Sequence, residues 1–258
     1  MIPRRYIQEW KNIAPWPEDA QVEQDLVLSR ALVAIYSHSF LKQRLGFRGG
    51  TALHKLYLSP QQRYSEDLDF VQLKPEPIKE TIDHLRTELD FLGTPKVRQK
   101  SSNNILIYRF ESETLPTRPL RLKIEINCRE HRSITALESL EFFVDSSWFT
   151  GNASITTYSF EELAATKLRA LYQRKKGRDL FDIYRILQSK KGDVLRIIDI
   201  WREYMTKCPS FREFELNMNE KAKDKDFRND MTGLLIPGVE YDFDNAWHMV
   251  MDEIIRKI

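Results

Sequence analysis

Residues Phe47–Phe70 read FRGGTALHKLYLSPQQRYSEDLDF. Two glycines and a threonine come first, Arg63 and Ser65 follow, and Asp67 and Asp69 close the stretch. Two readings are open: a turn followed by an acidic strand in water, or a cradle for a nucleotide and its metal. Alternate residues of a strand leave the same face, so Asp67 and Asp69 would project together, ~7 Å apart at Cα. Such a pair suits Mg²⁺, a hard cation that takes oxygen ligands and substrate phosphates. Gly49 and Gly50 permit left-handed backbone angles and close approach of a ligand. Thr51 is a natural helix N-cap, and the free N–H groups of a helix start face phosphate. Arg63 and Ser65 would add a guanidinium and a hydroxyl to the same anion. A lone DxD or a lone Gly-Gly is common; the ordered set within one short stretch is far less so.

Outward from that stretch, 258 residues allow one large domain or two smaller ones. Hydrophobic residues make up 41% of the chain, enough for a real core, and an aromatic share of 11% argues against disorder. With 40 Lys and Arg against 38 Asp and Glu, a nucleic-acid surface would have to come from local clustering. Cys128 and Cys208 give neither a disulfide framework nor a zinc spacing. The five histidines form no H-x₃₋₅-H pair, and no Walker A or G-x-S-x-G motif occurs. The N-terminus, MIPRRYIQEWKNIAPWPED, lacks the apolar core of a signal peptide, and no run approaches the ~20 apolar residues of a membrane span. These features predict a soluble cytoplasmic protein with no membrane partner.

Apolar periodicity predicts a helix over about 20–44, then a tight turn and a short helix in GFRGGTALHKLYL. DLDFVQL reads as a strand and PEPIKETIDHLRTELDFLG as a helix ended by Gly93. NILIYRFE and LRLKIEINC are further strands; in the latter Leu120, Leu122, Ile124 and Ile126 alternate with Arg121, Lys123, Glu125 and Asn127. After about residue 153 the pattern is helical. SFEELAATKLRALYQRKKG opens with Ser159 three before Glu162, a capping box, and RDLFDIYRILQSKKG follows. NEKAKDKDFRND reads as solvated, and YDFDNAWHMVMDEIIRKI as a closing amphipathic helix. The expected fold is α+β: a small mixed-sheet α/β domain with N-terminal helices over 1–150, then a helical C-terminal domain over 151–258.

A third carboxylate usually completes such a metal pair or activates the attacking hydroxyl. Glu125 is the candidate, with Asn127 a neighbour; a salt bridge to Lys123 or Arg121 on a wet face explains Glu125 equally well. Lys167 would sit among Leu163, Ala164, Ala170 and Leu171 on a helix, either snorkelling past the core or pointing its ammonium into a cleft. Arg169, Arg174, Lys175, Lys176 and Arg178 are either a solvated helix end or a patch for phosphates. Asp179, after Gly177, is placed to cap the next helix.

FRGGTALHKLY, RYSEDLDF, LKIEIN and EELAATKLRALYQRKKGRDLFDIY together resemble the AbiEii nucleotidyltransferase toxins, related to the MenT toxins, over about residues 20–190. That family is similar in turn to the DNA polymerase β-type nucleotidyltransferases, whose G-[GS] and D-x-D motifs match Gly49-Gly50 and Asp67/Asp69. The resemblance implies an α/β nucleotidyltransferase domain, a helical C-terminal domain, and Mg²⁺-dependent transfer of NMP from an NTP to an RNA acceptor. In MenT-type relatives the acceptor is the tRNA 3′ end, which would block translation; a cognate antitoxin and a role in abortive infection are implied as well. By motif match Asp67 and Asp69 would be metal ligands and Lys167 the active-site lysine, and Arg178-Asp179 the family's R-D pair, which gives Asp179 a catalytic role. Two alternatives stand beside this: a catalytically silent nucleotide-binding regulator, and NMP transfer to a protein side chain.

Overall fold

A computed structural model describes residues 2–258. Helices α1 (Arg4–Trp10), α2 (Asp19–Ser37) and α3 (Ser39–Arg44) lead into strand β1 (Leu45–Arg48), helix α4 (Gly49–Ala52) and a π-turn over Leu53–Tyr57. Then come β2 (Asp67–Gln72), α5 (Lys79–Glu88), β3 (Lys96–Lys100), β4 (Asn103–Glu111), β5 (Pro119–Asn127), β6 (Glu138–Ser146) and β7 (Phe149–Thr157). The rest is helical: α6 (Phe160–Gln173), α7 (Gly177–Ser189), α8 (Val194–Tyr204), α9 (Phe211–Ala222), α10 (Lys225–Asn229) and α11 (Phe243–Glu253). No described helix is long and apolar enough to cross a membrane.

The strands form one seven-stranded sheet in the order β3-β4-β5-β2-β1-β7-β6. It is mixed: β2 runs parallel to β5 and β1 parallel to β7, while β1 with β2, β3 with β4, β4 with β5 and β6 with β7 are antiparallel. One face of the central strands is apolar. Leu68 and Phe70 of β2, Leu122, Ile124 and Ile126 of β5, and Leu106 and Tyr108 of β4 are buried. The helix α2 packs against β5 and β7, which is why it is buried on nearly every side. The opposite face of β2 and β5 carries Asp67, Asp69, Lys123 and Glu125.

Several expectations need correction. The helix predicted over 20–44 breaks at His38, which leaves helical geometry and whose ring accepts from the Leu41 N–H to cap α3. Strands β1, β3, β6 and β7 escaped the pattern reading for physical reasons. β1 has four residues, too few for alternation; β3 is a polar edge strand, KVRQK. The β6–β7 hairpin places Gly151 and Asn152 in strand interiors, where their propensity is poor. The boundary expected after residue 150 therefore falls inside β7. Gly177 does not end a helix but begins α7, where a Cβ would press on the Phe227 backbone carbonyl.

The capping box at the start of α6 is half present. Ser159 accepts from the Glu162 N–H. The Glu162 carboxylate reaches elsewhere: it is buried and accepts from the N–H groups of Ile134 and Thr135 at 2.8 and 2.9 Å, the Thr135 hydroxyl at 2.6 Å and the Tyr204 hydroxyl at 2.5 Å. It thereby ties the β5–β6 connection and α8 to α6. Glu162→Ala should lower stability by about 3 kcal/mol or more, because each buried donor left unpaired costs roughly 1–3 kcal/mol. Glu162→Gln, which keeps one acceptor, should lose visibly less; thermal unfolding of the two variants against the parent checks the order.

Candidate active site

The glycine pair sits where β1 turns into α4. Gly49 adopts φ +83°, and a Cβ there would fall 3.1 Å from Asp69 Cγ. A Cβ on Gly50 would fall 3.4 Å from both the Arg63 guanidinium carbon and Lys167 Nζ. The bare backbone thus lets Asp69 approach from one side and Arg63 and Lys167 from the other. Thr51 does not cap the helix, since Arg48 holds that position. It is buried, and its hydroxyl donates to the Asp67 carbonyl at 2.6 Å and lies 2.8 Å from Ser65 Oγ, fixing the entry to β2. Behind this loop Lys55 of the π-turn pairs with buried Asp25 of α2 at 3.0 Å.

Asp67 and Asp69 leave β2 on its polar face, as strand alternation requires. Register sets Asp69 beside Arg48 on β1 and beside Glu125 on β5, and Asp67 beside Lys123. Burial raises the Asp69 pKa, the Asp67 charge adds to the rise, and Arg48 opposes it. Lys123 Nζ lies 3.2 Å from Asp67 Oδ2 and 2.7 Å from Glu125 Oε2, so one ammonium bridges two of the three carboxylates. Asn103 Nδ2 donates to Glu125 at 2.5 Å. Burial would lift the Glu125 carboxyl, but the hydrogen bonds from Lys123 and Asn103 outweigh it and hold the pKa below the ordinary value. Both sequence readings of Glu125 therefore hold geometrically: it neighbours Asp69, and it is salt-bridged to Lys123. Among the described residues no three His, Cys, Asp or Glu side chains gather as a metal cluster. Asp67 Oδ1, however, is buried with no hydrogen-bond partner, which suits a carboxylate oxygen directed at a cation.

The opposite wall comes from the helical half. Lys167 of α6 is 6% exposed, and its ammonium lies 2.8 Å from Asp182 Oδ2 and 3.4 Å from Asp179 Oδ1. Asp179 is the third residue of α7, not its cap, and it accepts a bidentate pair from Arg174 at 2.6 and 2.8 Å. Asp182, fully buried, is the hub. Arg63 grips it through Nε at 2.7 Å and Nη2 at 2.8 Å, Lys167 adds a third contact, and His54 Nε2 a fourth at 2.8 Å. Burial would raise the Asp182 pKa; the Arg63 and Lys167 charges and the hydrogen bonds from Arg63 and His54 hold it well below the carboxylate range. Since the ionised carboxylate accepts, His54 Nε2 carries the ring proton, and Nδ1 is buried without a partner. Arg63, expected to bind the anion, is thus engaged in the protein's own frame.

Gly49, Gly50, Arg63, Ser65, Asp67, Asp69, Glu125 and Lys167 all line one cleft of about 820 Å³; Thr51 and Asp179 lie behind its wall. The cleft also takes Arg174, Arg169 and Arg178 of the basic run, and Arg48, Lys123, Asn103 and Glu130, the last four not anticipated as site residues. Glu130 links Arg48 at 3.0 Å to Arg169 at 2.6 Å, bridging sheet and α6. Asp182 and Lys123 carried a readable signal: the first is a charge inside the apolar stripe of α7, the second shares its strand face with Glu125. For Arg48 and Glu130 the sequence carries no such sign, because their pairing depends on tertiary register.

A family model described as nucleotidyl transferase AbiEii toxin, type IV toxin–antitoxin system, matches residues 30–249. The chain belongs to the AbiEii nucleotidyltransferase toxin family. Its fold is similar to that of the nucleotidyltransferase toxin MenT4 from Mycobacterium tuberculosis H37Rv, with TM-score 0.65 and 16% identity over 100% of this chain and 91% of that one. JHP933 from Helicobacter pylori gives TM-score 0.60 and 16% identity, covering 94% of each chain. No curated protein matches. As an AbiEii member the chain is a toxin nucleotidyltransferase using an NTP.

Two outcomes follow from the hub. An apolar-stripe lysine would be replaceable by methionine without loss, but the buried pairs reverse that expectation. Lys167→Met should destabilise by about 3 kcal/mol or more, the cost of breaking a buried ion pair, read as a fall in melting temperature. The second outcome concerns pH. Burial pushes the His54 pKa down to about 4, with Asp182 opposing and Arg63 and Lys167 adding to the fall. An unfolded histidine titrates near ~6.5, so between these values the unfolded chain takes up a proton that the folded one refuses. Stability from this group is full above ~6.5 and declines as pH falls toward 4, by roughly 3 kcal/mol in all. Glu23, raised by burial to about 7, slopes the other way. The readout is therefore the difference between the parent and His54→Gln, which keeps a donor toward Asp182 and cannot titrate: the variant's curve should be flatter from pH 6.5 to 4.5.

Proposed function

We propose that this AbiEii toxin transfers NMP from an NTP to the 3′ end of an RNA acceptor, with Mg²⁺ and with tRNA as the acceptor class, and so blocks translation in the cytoplasm. The observation that carries the reading is the Asp67/Asp69 pair on one strand face, with the unpartnered Asp67 Oδ1, opposite Lys167 across the cleft. Both carboxylates are residues that would hold the metal; when bound, Mg²⁺ would neutralise the triphosphate and stabilise the charge developing on the departing pyrophosphate. Glu125, next to Asp69 in register, would join them on release from Lys123. The acceptor 3′ oxygen attacks the α-phosphorus, the bond from that phosphorus to the bridging oxygen breaks, and pyrophosphate leaves with the electron pair. Glu125 is the carboxylate positioned to take the hydroxyl proton. Lys167 turns an ammonium toward the phosphates from a position locked by Asp182, while Gly49 and Gly50 leave their backbone open to them, with the Ser65 hydroxyl nearby. Asp179 acts through Lys167 and Arg174 as a positioning residue. A cognate antitoxin, in an abortive-infection or other toxin–antitoxin setting, completes the system.

The test is to incubate the purified protein and Mg²⁺ with each α-labelled NTP and total cellular RNA. Label in a tRNA-sized band supports the reading; label in protein, or none with any nucleotide, sinks it. Asp67→Asn and Asp69→Asn should each cut transfer about a thousandfold, several kcal/mol of lost metal-borne stabilisation. Their melting temperatures should stay near the parent's, since both side chains border the open cleft. Transfer near the parent's rate in either variant would overturn the metal assignment.

A further inference from the structure

The sheet face that carries the aspartates continues well past the cleft. Register leads from Asp69 to Glu125, then Ile105, then Arg98 on edge strand β3. The adjacent row runs Asp67, Lys123, Ile107, Lys96, and the next ends Asn127, Asn103, Lys100. Every row that starts among carboxylates and amides ends at the edge in a cation. On β4 the alternation is clear: Leu106 and Tyr108 are buried in the core, while Ile105 and Ile107 are only half-buried on the opposite face and lie outside the core cluster. Lys96, Arg98, Lys100 and Arg109, the last on β4 of the same face, are exposed. None of these four makes a salt bridge or side-chain hydrogen bond among the described residues, although the exposed Glu111 stands two residues from Arg109 on the same face of β4.

The contrast with the basic run of the helical half is informative. There Arg169 is held by Glu130, Arg174 by Asp179 and Lys175 by Asp224. Those three are paired within the protein, whereas Lys176 and Arg178 of the same run, like the edge cations, make no side-chain ion pair among the described residues.

We infer that the open β3–β4 face is the platform on which the acceptor RNA lies, its phosphates on Lys96, Arg98, Lys100 and Arg109 and its sugar and base faces against Ile105 and Ile107. The inference rests on the RNA-acceptor reading above. Alternate residues of β3 are ~6.7 Å apart, a spacing that suits successive phosphates of an extended strand, and the row stands ~14 Å from Asp69, a few nucleotides from the reacting end. Unpaired cations with a narrow apolar strip fit a polyanion with exposed bases. A protein interface would need a wider apolar centre.

Lysine on an edge strand also blocks edge-to-edge aggregation, and glutamate does so equally. Charge reversal therefore separates the two roles. The triple variant Lys96→Glu, Arg98→Glu, Lys100→Glu is compared with the parent for binding of labelled unfractionated tRNA by anisotropy at several salt concentrations, for NTP binding, and for melting temperature. The expected result is at least a ~10-fold weaker tRNA affinity at low salt, and a log–log salt slope shallower by about 2 to 3, because three phosphates are no longer neutralised. NTP affinity and melting temperature stay at the parent's values. The neutral triple with glutamine at the same positions should fall between. If the parent binds tRNA and the glutamate triple matches it in affinity and slope, the platform is wrong and the charges only guard the edge. The platform is equally wrong if the triple loses its antitoxin but keeps tRNA, which gives the face to a protein. If the parent neither binds nor labels any RNA, the acceptor reading itself fails and takes this inference with it.

Discussion

A buried carboxylate is costly unless every lone pair is met, and Asp182 is met four times. Two of its partners, His54 and Arg63, come from the α4–β2 segment, and one, Lys167, from α6. The helical half therefore cannot shift against the sheet without uncovering this charge. The cleft depends on that: Asp67 and Asp69 stand on one side of the junction and Lys167 on the other. Gly50 belongs to the same constraint, since a side chain there would meet Arg63 and Lys167 before they reached Asp182. The stability of the junction and the geometry of the cleft are thus one problem with one solution.

That constraint also marks what could be read in the chain. The glycine pair, the aspartate pair and the alternation of β5 were legible because each is a local pattern, and local patterns survive without knowledge of the fold. Lys167 was legible as a misfit, a charge in an apolar stripe. What filled its surroundings was not, because Asp182 reaches it only after α7 packs on α6. The internal partners of Arg63 and Thr51 went unread for the same reason. Their chemistry suits an anion, but a guanidinium beside a buried carboxylate is claimed by it first, and a hydroxyl beside a backbone carbonyl likewise. Strands β6 and β7 went unread because a hairpin at a sheet margin needs no strong alternation when its neighbours supply the pairing.

Lys123 shows how the protein manages a crowded acidic face. Asp67, Asp69 and Glu125 are crowded by the register of β2 with β5, and repulsion from Asp67 and Glu125 adds to the rise that burial gives the Asp69 pKa. An ammonium between Asp67 and Glu125 relieves two of the three. A divalent ion at the Asp67/Asp69 pair would compete with Lys123 for Asp67 and leave the ammonium to Glu125. Such competition is reciprocal: a cation would weaken the Lys123–Asp67 pair by as much as that pair weakens the cation's hold.

The near-balance of charge, +2 overall, conceals how unevenly cations are committed. Arg63, Lys167, Arg174, Arg48 and Arg169 are spoken for by Asp182, Asp179 and Glu130, where burial makes an uncompensated charge costly. On β3 the cations face water, where an unpaired lysine costs nothing to keep and loses little hydration until a partner arrives. Only such uncommitted charge can release counterions when a polynucleotide docks, and counterion release is the main source of affinity for a phosphate backbone. A count of lysines and arginines along the sequence therefore overstates the free charge of the densest basic run, three of whose five cations are already paired. The deciding quantity is the free charge after folding, and the edge of the sheet whose centre carries the aspartates holds a row of it.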